Sequence, residues 1–269
     1  MGLYNNTYRL YYYSKDYFRL INFNKREEGF EKKPLNPVSD GFNVYDLSEY
    51  KFSFPLNRFT NKEECERISR SRAKRNIKEI CLCNDFKYFV TLTINSDNAD
   101  RFSLEECQKL LKRLLKNYAK KFKYNTNIDF KYIIVTEKHK NGAFHFHGLF
   151  SDLLQKDIYK NNYGYISSHF FDTKLGFCSF SEIKDSIKCA NYITKYITKD
   201  SIKNNCNQLY FCSKGLKRAT IIDFDSALVN ERNTLDSEFW TYSNEFCKLK
   251  DFYFDSLSDL EKDFFFNIL

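Results

Sequence analysis

The chain has 269 residues, 42% of them hydrophobic and 18% aromatic, which suits one folded domain with appendages and excludes a disordered polyelectrolyte. Its net charge of +8 is uneven: residues 220–269 hold 4 Lys/Arg against 11 Asp/Glu, net −7, whereas residues 1–219 hold 39 against 24, net +15. No apolar run approaches the roughly 20 residues that span a bilayer, so no membrane partner is expected.

The first residues lack a signal peptide's apolar core, and the myristoylation pattern fails at Asn6. The nine cysteines form no CxxC pair and read as reduced thiols, which places the expected location in the cytoplasm. A basic body followed by an acidic tail fits a polyanion-binding domain with a solvating or self-shielding segment.

In chain order, residues 1–60 form an aromatic-rich extension that holds all three prolines (Pro34, Pro37, Pro55) and carries no assignable role. From Asn61, the stretch NKEECERISRSRAKRNIKEIC reads as a helix. Ile68, Ala73, Ile77 and Ile80 line one side; Arg67, Arg70, Arg72 and Arg75 lie elsewhere and can meet a phosphate backbone or simply be solvated. KYFVTLTIN (87–95) is rich in β-branched and aromatic residues and reads as a strand.

Ser103 and Glu106 form a capping box for a helix to about Tyr124, with Leu110, Leu111, Leu114 and Leu115 on its buried side. FKYIIVTEKHKNGAFHFHGLF (130–150) reads as two strands around Asn141-Gly142. Residues 151–175 look irregular, FCSFSEI (177–183) reads as a strand, and Asp185 or Ser186 can cap the next helix. QLYFCSKGLK (208–217) gives a last strand that breaks at Gly215, and 220–269 is the acidic C-terminal segment. This order predicts an α+β fold with a sheet covered by helices, its main domain spanning 61–219.

Three of the four histidines lie between 139 and 147. Side chains alternate along a strand, so His145 and His147 share one face, roughly 7 Å apart, and can converge on a divalent metal. Glu137 on the partner strand is the expected third ligand. It faces His145 only if the hairpin loop has an odd number of residues, most simply Lys140-Asn141-Gly142 with Gly142 left-handed. Under that register His139 falls on the same face nearer the turn, as a lesser candidate.

The tetrapeptide Tyr-Ile-Thr-Lys occurs twice, at 192–195 and 196–199. At about 100° per residue, Tyr192, Tyr196, Lys199, Lys188 and Lys195 fall on one arc of about 100°, opposite Ile187, Ala190, Ile193, Thr194 and Ile197. A face of phenols and ammoniums without an acid suits phosphates. A phenol with a pKa near 10 becomes a useful nucleophile when a metal polarises the phosphate and a lysine stabilises the developing charge.

His145-Phe146-His147 with Tyr192-x-x-Lys195-Tyr196-x-x-Lys199 resembles the HUH endonucleases that initiate rolling-circle replication, of the filamentous-phage gene-II type found in phages and plasmids. FVTLTIN resembles that family's first motif, and the resemblance spans roughly residues 65–217. It implies a central antiparallel ferredoxin-like sheet and Mg²⁺ or Mn²⁺ held by His145, His147 and Glu137. It implies nicking of single-stranded DNA at an origin hairpin, with a 5′-phosphotyrosine and a free 3′-hydroxyl. Tyr192 and Tyr196 are then the nucleophiles and Lys195 and Lys199 the assisting cations. Which tyrosine matters more is left open, with a slight lean to Tyr196 because Lys199 lies nearest the centre of the arc, and Arg67, Arg70, Arg72, Arg75 and Lys188 are the expected DNA contacts. No P-loop is present, so a host helicase and polymerase are the implied partners. A metal-dependent nuclease using water, and a non-catalytic basic nucleic-acid-binding module, are the competing expectations.

Overall fold

The computed structural model describes residues 7–13, 17–23, 62–198, 209–225, 239–243 and 247–266. In chain order the elements are β1 (Thr7–Tyr12), β2 (Tyr17–Phe23), α1 (Lys62–Cys83), β3 (Tyr88–Thr93), α2 (Leu104–Thr126), β4 (Tyr132–Lys138) and β5 (Phe144–Phe150). They continue with β6 (Ile158–Lys160), β7 (Ile166–Ser168), α3 (His169–Asp172), β8 (Cys178–Glu182), α4 (Ser186–Ile193), β9 (Tyr210–Cys212) and β10 (Thr220–Asp225). The last three are β11 (Tyr242–Ser243), β12 (Cys247–Tyr253) and α5 (Asp259–Phe266). The fold is α+β with two antiparallel sheets, in agreement with the expected class. Among the described residues no helix is long and apolar enough to cross a membrane, and every described cysteine is a free thiol.

The chain divides into two compact units, residues 62–219 and residues 1–61 with 220–269. The second unit is a five-stranded sheet in the order β10-β1-β2-β12-β11, so strands about 200 residues apart in sequence pair directly. Tyr8, Leu10, Phe18, Leu20, Phe224 and Phe252 form one face of that sheet, buried with Phe264 and Phe265 of α5. The other face carries two cross-strand forks in which the guanidiniums of Arg9 and Arg19 donate to Asp223 and Asp251 at 2.6–2.8 Å. Planar guanidinium against carboxylate is a strong pairing that also fixes register.

Residues 62–219 build a seven-stranded sheet in the order β6-β7-β8-β3-β5-β4-β9. One face is apolar, with Val90, Leu92, Ile134, Phe146, Phe150 and Phe180 packed on Leu110, Leu111, Leu114, Leu115 and Tyr118 of α2. The Ser103 side chain accepts from the Glu106 backbone N–H to start α2, and Asn127, left-handed at φ 57, stops it. The reciprocal half of the capping box is redirected, since the Glu106 carboxylate accepts from the Asp100 N–H.

Residues 151–175, expected to be irregular, contain β6, β7 and α3. These are three- and four-residue elements, too short to show a hydrophobic period. The strand expected over 208–217 is only Tyr210–Cys212, and Gly215 takes a left-handed φ of 69 just after it.

Candidate active site

The face of the seven-stranded sheet opposite α2 is polar where the strands meet β5. Pairing sets two cross-strand rungs there: Thr93, His145 and Glu137 on one, and Thr91, His147 and Val135 on the next. The register matches the odd-loop expectation. Glu137 pairs with His145, the His139 N–H donates to the Ala143 carbonyl at 2.9 Å, and Gly142 turns the hairpin at φ 90.

The Glu137 Oε2 and His147 Nε2 atoms lie 2.7 Å apart, and His139 Nε2 is 3.7 Å from the same oxygen. His139 also stacks on His145 at 3.9 Å between ring centroids. His145 and His147 both ionise below the ordinary histidine value. Burial is the main cause for each, and the Glu137 carboxylate opposes it. Burial thus favours the neutral form of each ring, and a neutral His147 carries its proton on Nε2, where it donates to the Glu137 carboxylate.

Two residues not singled out in the sequence hold these rings. The Thr91 hydroxyl contacts His147 Nδ1 at 3.2 Å and the Thr93 hydroxyl contacts His145 Nδ1 at 3.3 Å. Each imidazole is thereby held at Nδ1, the usual device for fixing a ligating histidine's ring plane, while His147 also presents its Nε2 to the Glu137 carboxylate. The alternation of Thr91 and Thr93 on one strand was visible, but which histidine each meets depends on the pairing of β3 with β5.

The doubled tetrapeptide lies across the end of a helix. Asp185 caps α4, its carboxylate accepting from the Lys188 N–H at 2.9 Å, and α4 ends at Ile193. Residues Thr194–Tyr196 form a 3₁₀ turn, closed as the Thr194 hydroxyl donates back to the Asn191 carbonyl at 2.8 Å. The single helix expected through 199 is corrected accordingly.

The two tyrosines still meet. The Tyr196 hydroxyl donates to the Tyr192 hydroxyl at 3.0 Å, and the rings stand edge to face. Tyr196 lies flat on His147, 4.0 Å between centroids and 9° between planes, while Tyr192 packs edge-on against Phe89. Tyr192 is 46% exposed. The Tyr196 phenol is pushed well above the ordinary tyrosine value, first by burial and then by its hydrogen bond to Tyr192.

Residues 87–201 match the family described as Replication-associated protein ORF2/G2P. The similarity is to replication-associated proteins. It begins at β3 and takes in the threonines, the histidines, Glu137 and both tyrosines; residues 1–86 and 202–269 lie outside it. No curated protein and no solved structure matches the chain.

The remaining expected residues are distributed as follows. Lys195 places its ammonium 5.3 Å from the centre of the Tyr192 ring. Lys188 pairs with Asp185 at 3.4 Å, so the start of α4 does carry an acid, contrary to the acid-free face expected there. Lys199 lies outside the described residues. Arg67, Arg72 and Arg75 are exposed on α1 and Arg70 is half-buried, 3.9 Å from Glu66. Ala73, Ile77 and Ile80 of α1 are buried, and α1 packs against α4, so these arginines ride on the helix next to the tyrosines.

Among the described residues, no group of three or more His, Cys, Asp or Glu is placed so that it could hold a metal ion. The histidines and Glu137 instead form a chain of pairwise contacts running from His145 through His139 and Glu137 to His147.

Proposed function

We propose that this chain is a replication initiator that nicks single-stranded origin DNA by tyrosine transesterification, as in HUH-type rolling-circle replication of phages and plasmids. The observation that carries the reading is the contact of two phenol hydroxyls at 3.0 Å, with one ring stacked on a histidine that touches a carboxylate at 2.7 Å. A structural helix end has no need of such a constellation, and acid–base or phosphoryl chemistry does.

Tyr192 is proposed as the first nucleophile, because it is exposed and its oxygen accepts a hydrogen bond from Tyr196. That donor stabilises negative charge developing on the Tyr192 oxygen, and the Lys195 ammonium, 5.3 Å from the centre of the ring, favours charge spread into the ring. The oxygen attacks phosphorus, the bond to the 3′-oxygen breaks, and the phenol proton balances the one taken up by the departing 3′-hydroxyl. The products are a 5′-phosphotyrosine and a free 3′-hydroxyl. Attack by a 3′-hydroxyl on the phosphotyrosine reverses the step and rejoins ends without a nucleotide cofactor. Tyr196, half-buried against His147 and hydrogen-bonded to Tyr192, is proposed as the second nucleophile once Tyr192 is esterified.

In this reading His145, His147 and Glu137 would hold Mg²⁺ or Mn²⁺. They offer nitrogen and oxygen donors with both rings held at Nδ1, and binding an ion there would release the proton that His147 Nε2 shares with Glu137. A divalent cation bound there would supply Lewis-acid polarisation of the scissile phosphate. A host helicase and polymerase remain the proposed partners.

Incubation with labelled single-stranded origin DNA and Mn²⁺ should give a covalent protein–DNA adduct on a denaturing gel. Changing both Tyr192→Phe and Tyr196→Phe should abolish it while DNA binding persists. Cleavage without an adduct would favour a water-using nuclease instead, and binding without cleavage a non-catalytic module.

A further inference from the structure

The histidine rung continues past Thr93 to a residue with no role in the chemistry above. Thr91 pairs with Ser179 of β8, and the Thr93 N–H donates to the Phe177 carbonyl at 3.0 Å, which puts Phe177 next to Thr93 on the histidine face. Cys178 is buried on the opposite face, as alternation requires. Phe177 thus sits two strands from His145, about 10 Å at the usual strand spacing, and is nevertheless 49% exposed.

Its position is built rather than incidental. Gly176 precedes it at φ 135, and a Cβ there would lie 2.9 Å from the Asn95 nitrogen and 3.0 Å from the Thr93 carbonyl oxygen, so only glycine lets this segment lie so close to β3. Tyr163, 78% exposed, stands edge-on to Phe177 at 6.5 Å between centroids. The turn that presents it is held by Asn161, whose side-chain oxygen accepts from the N–H groups of Tyr163 and Tyr165 at 3.0 Å, and by Gly164 at φ 79. Scattered single aromatics on a surface need no explanation. Two in contact, fixed by glycines and an Asn turn on the rung of a phosphate-handling centre, do.

Residues 62–219 carry 30 Lys/Arg against 17 Asp/Glu, net +13, so the occupant is expected to be anionic. Two exposed aromatic rings braced edge to face in a cationic unit offer a ring face on which a nucleobase of a phosphate-backbone strand can stack.

We propose that Phe177 and Tyr163 form a base-stacking platform for single-stranded DNA flanking the phosphate at the histidine rung, an inference that rests on the nicking function proposed above. Stacking tolerates any base, so a fluorescent oligothymidylate of about 15 nucleotides is a sufficient probe without knowledge of the origin.

Phe177→Ala should weaken its binding about 5- to 100-fold, and Phe177→Trp should retain it. The slope of affinity against salt should stay unchanged in Phe177→Ala, because no phosphate contact is lost. An abasic oligomer of the same length should bind wild type and Phe177→Ala equally. The platform is overturned if Phe177→Ala and Tyr163→Ala bind the oligothymidylate as wild type does, or if the loss is equal on the abasic strand. It is likewise overturned if wild type fails to bind the oligothymidylate. The two readings fail separately: an adduct formed by wild type alongside full affinity in Phe177→Ala removes the platform and leaves the nicking function. An adduct surviving Tyr192→Phe with Tyr196→Phe, together with lost affinity in Phe177→Ala, does the reverse.

Discussion

Thr91→Val tests the pinning of the histidines most directly. Valine keeps the shape of threonine and its place in β3 while removing the hydroxyl that meets His147 Nδ1 at 3.2 Å. His147 is only 7% exposed, so water has little access to replace that partner. The ring then loses its preferred tautomer and plane, and its 2.7 Å contact with Glu137 is no longer reinforced from behind. Loss of such an outer partner costs about 10- to 100-fold in metal affinity, equivalent to about 1.4–2.8 kcal/mol at 1.4 kcal/mol per decade. The assay is adduct formation on single-stranded DNA as Mn²⁺ is titrated. The half-saturating Mn²⁺ should rise by that factor, the plateau should be kept, and metal-free DNA binding should not change. Thr91→Ser, which restores the hydroxyl, should recover most of the affinity. An unchanged Mn²⁺ midpoint in Thr91→Val, or a serine variant as weak as the valine one, refutes the role given to the threonine.

Three further outcomes concern stability. A Cβ on Gly148 would lie 2.3 Å from the Ile133 carbonyl oxygen and 2.5 Å from Ile134 Cδ1. Gly148→Ala must therefore displace backbone in the β4–β5 ladder, and a loss of about 3 kcal/mol is expected in urea unfolding. A loss well under about 1 kcal/mol would show that the ladder yields. For pH, the lowered pKa values of His145 and His147 mean that the unfolded chain binds protons the folded chain refuses. Stability from this source is complete above about 6.5 and is lost as pH falls below it. With chelator present, the urea midpoint should drop between pH 8 and pH 5, and His147→Gln should flatten that dependence. Finally, removing residues 220–269 takes β10 and β12 away from β1 and β2. A lone hairpin is marginal in water, so limited proteolysis should cut within 7–23 in the truncated chain and not in the full one; protection in both would contradict the pairing.

Much of the site was legible because its signals are local. The Ser103 cap and the leucines behind it specify α2 within a few residues. Parity alone gave the register that sets Glu137 opposite His145, because an even loop would have buried the carboxylate among Phe144 and Phe146. What escaped was non-local. TYRLYY and YFRLINF alternate only weakly, since tyrosine serves on either face, and their partner strands lie near residues 220 and 250. Thr91 and Thr93 escaped for the same reason: the β3–β5 pairing spans more than 50 residues.

The end of α4 is the instructive intermediate case. The repeat of Tyr-Ile-Thr-Lys has helical spacing throughout, yet the Thr194 side chain closes back on Asn191 and the turn tightens to 3₁₀. The α-helix runs on to Ile193 and only the last turn tightens, so the Tyr192 and Tyr196 hydroxyls still meet at 3.0 Å. The orientation does not survive it. On one continuous helix both phenols would share a surface arc and be nearly equivalent. The tightened turn instead lays Tyr196 flat on His147, half-buried, and leaves Tyr192 outside it as the exposed acceptor of its hydrogen bond. Two identical tetrapeptides thereby become chemically distinct phenols, one with a raised pKa beside the histidines and one open to solvent. That inequivalence, which repetition in the sequence hides, is what an ordered use of two nucleophiles requires.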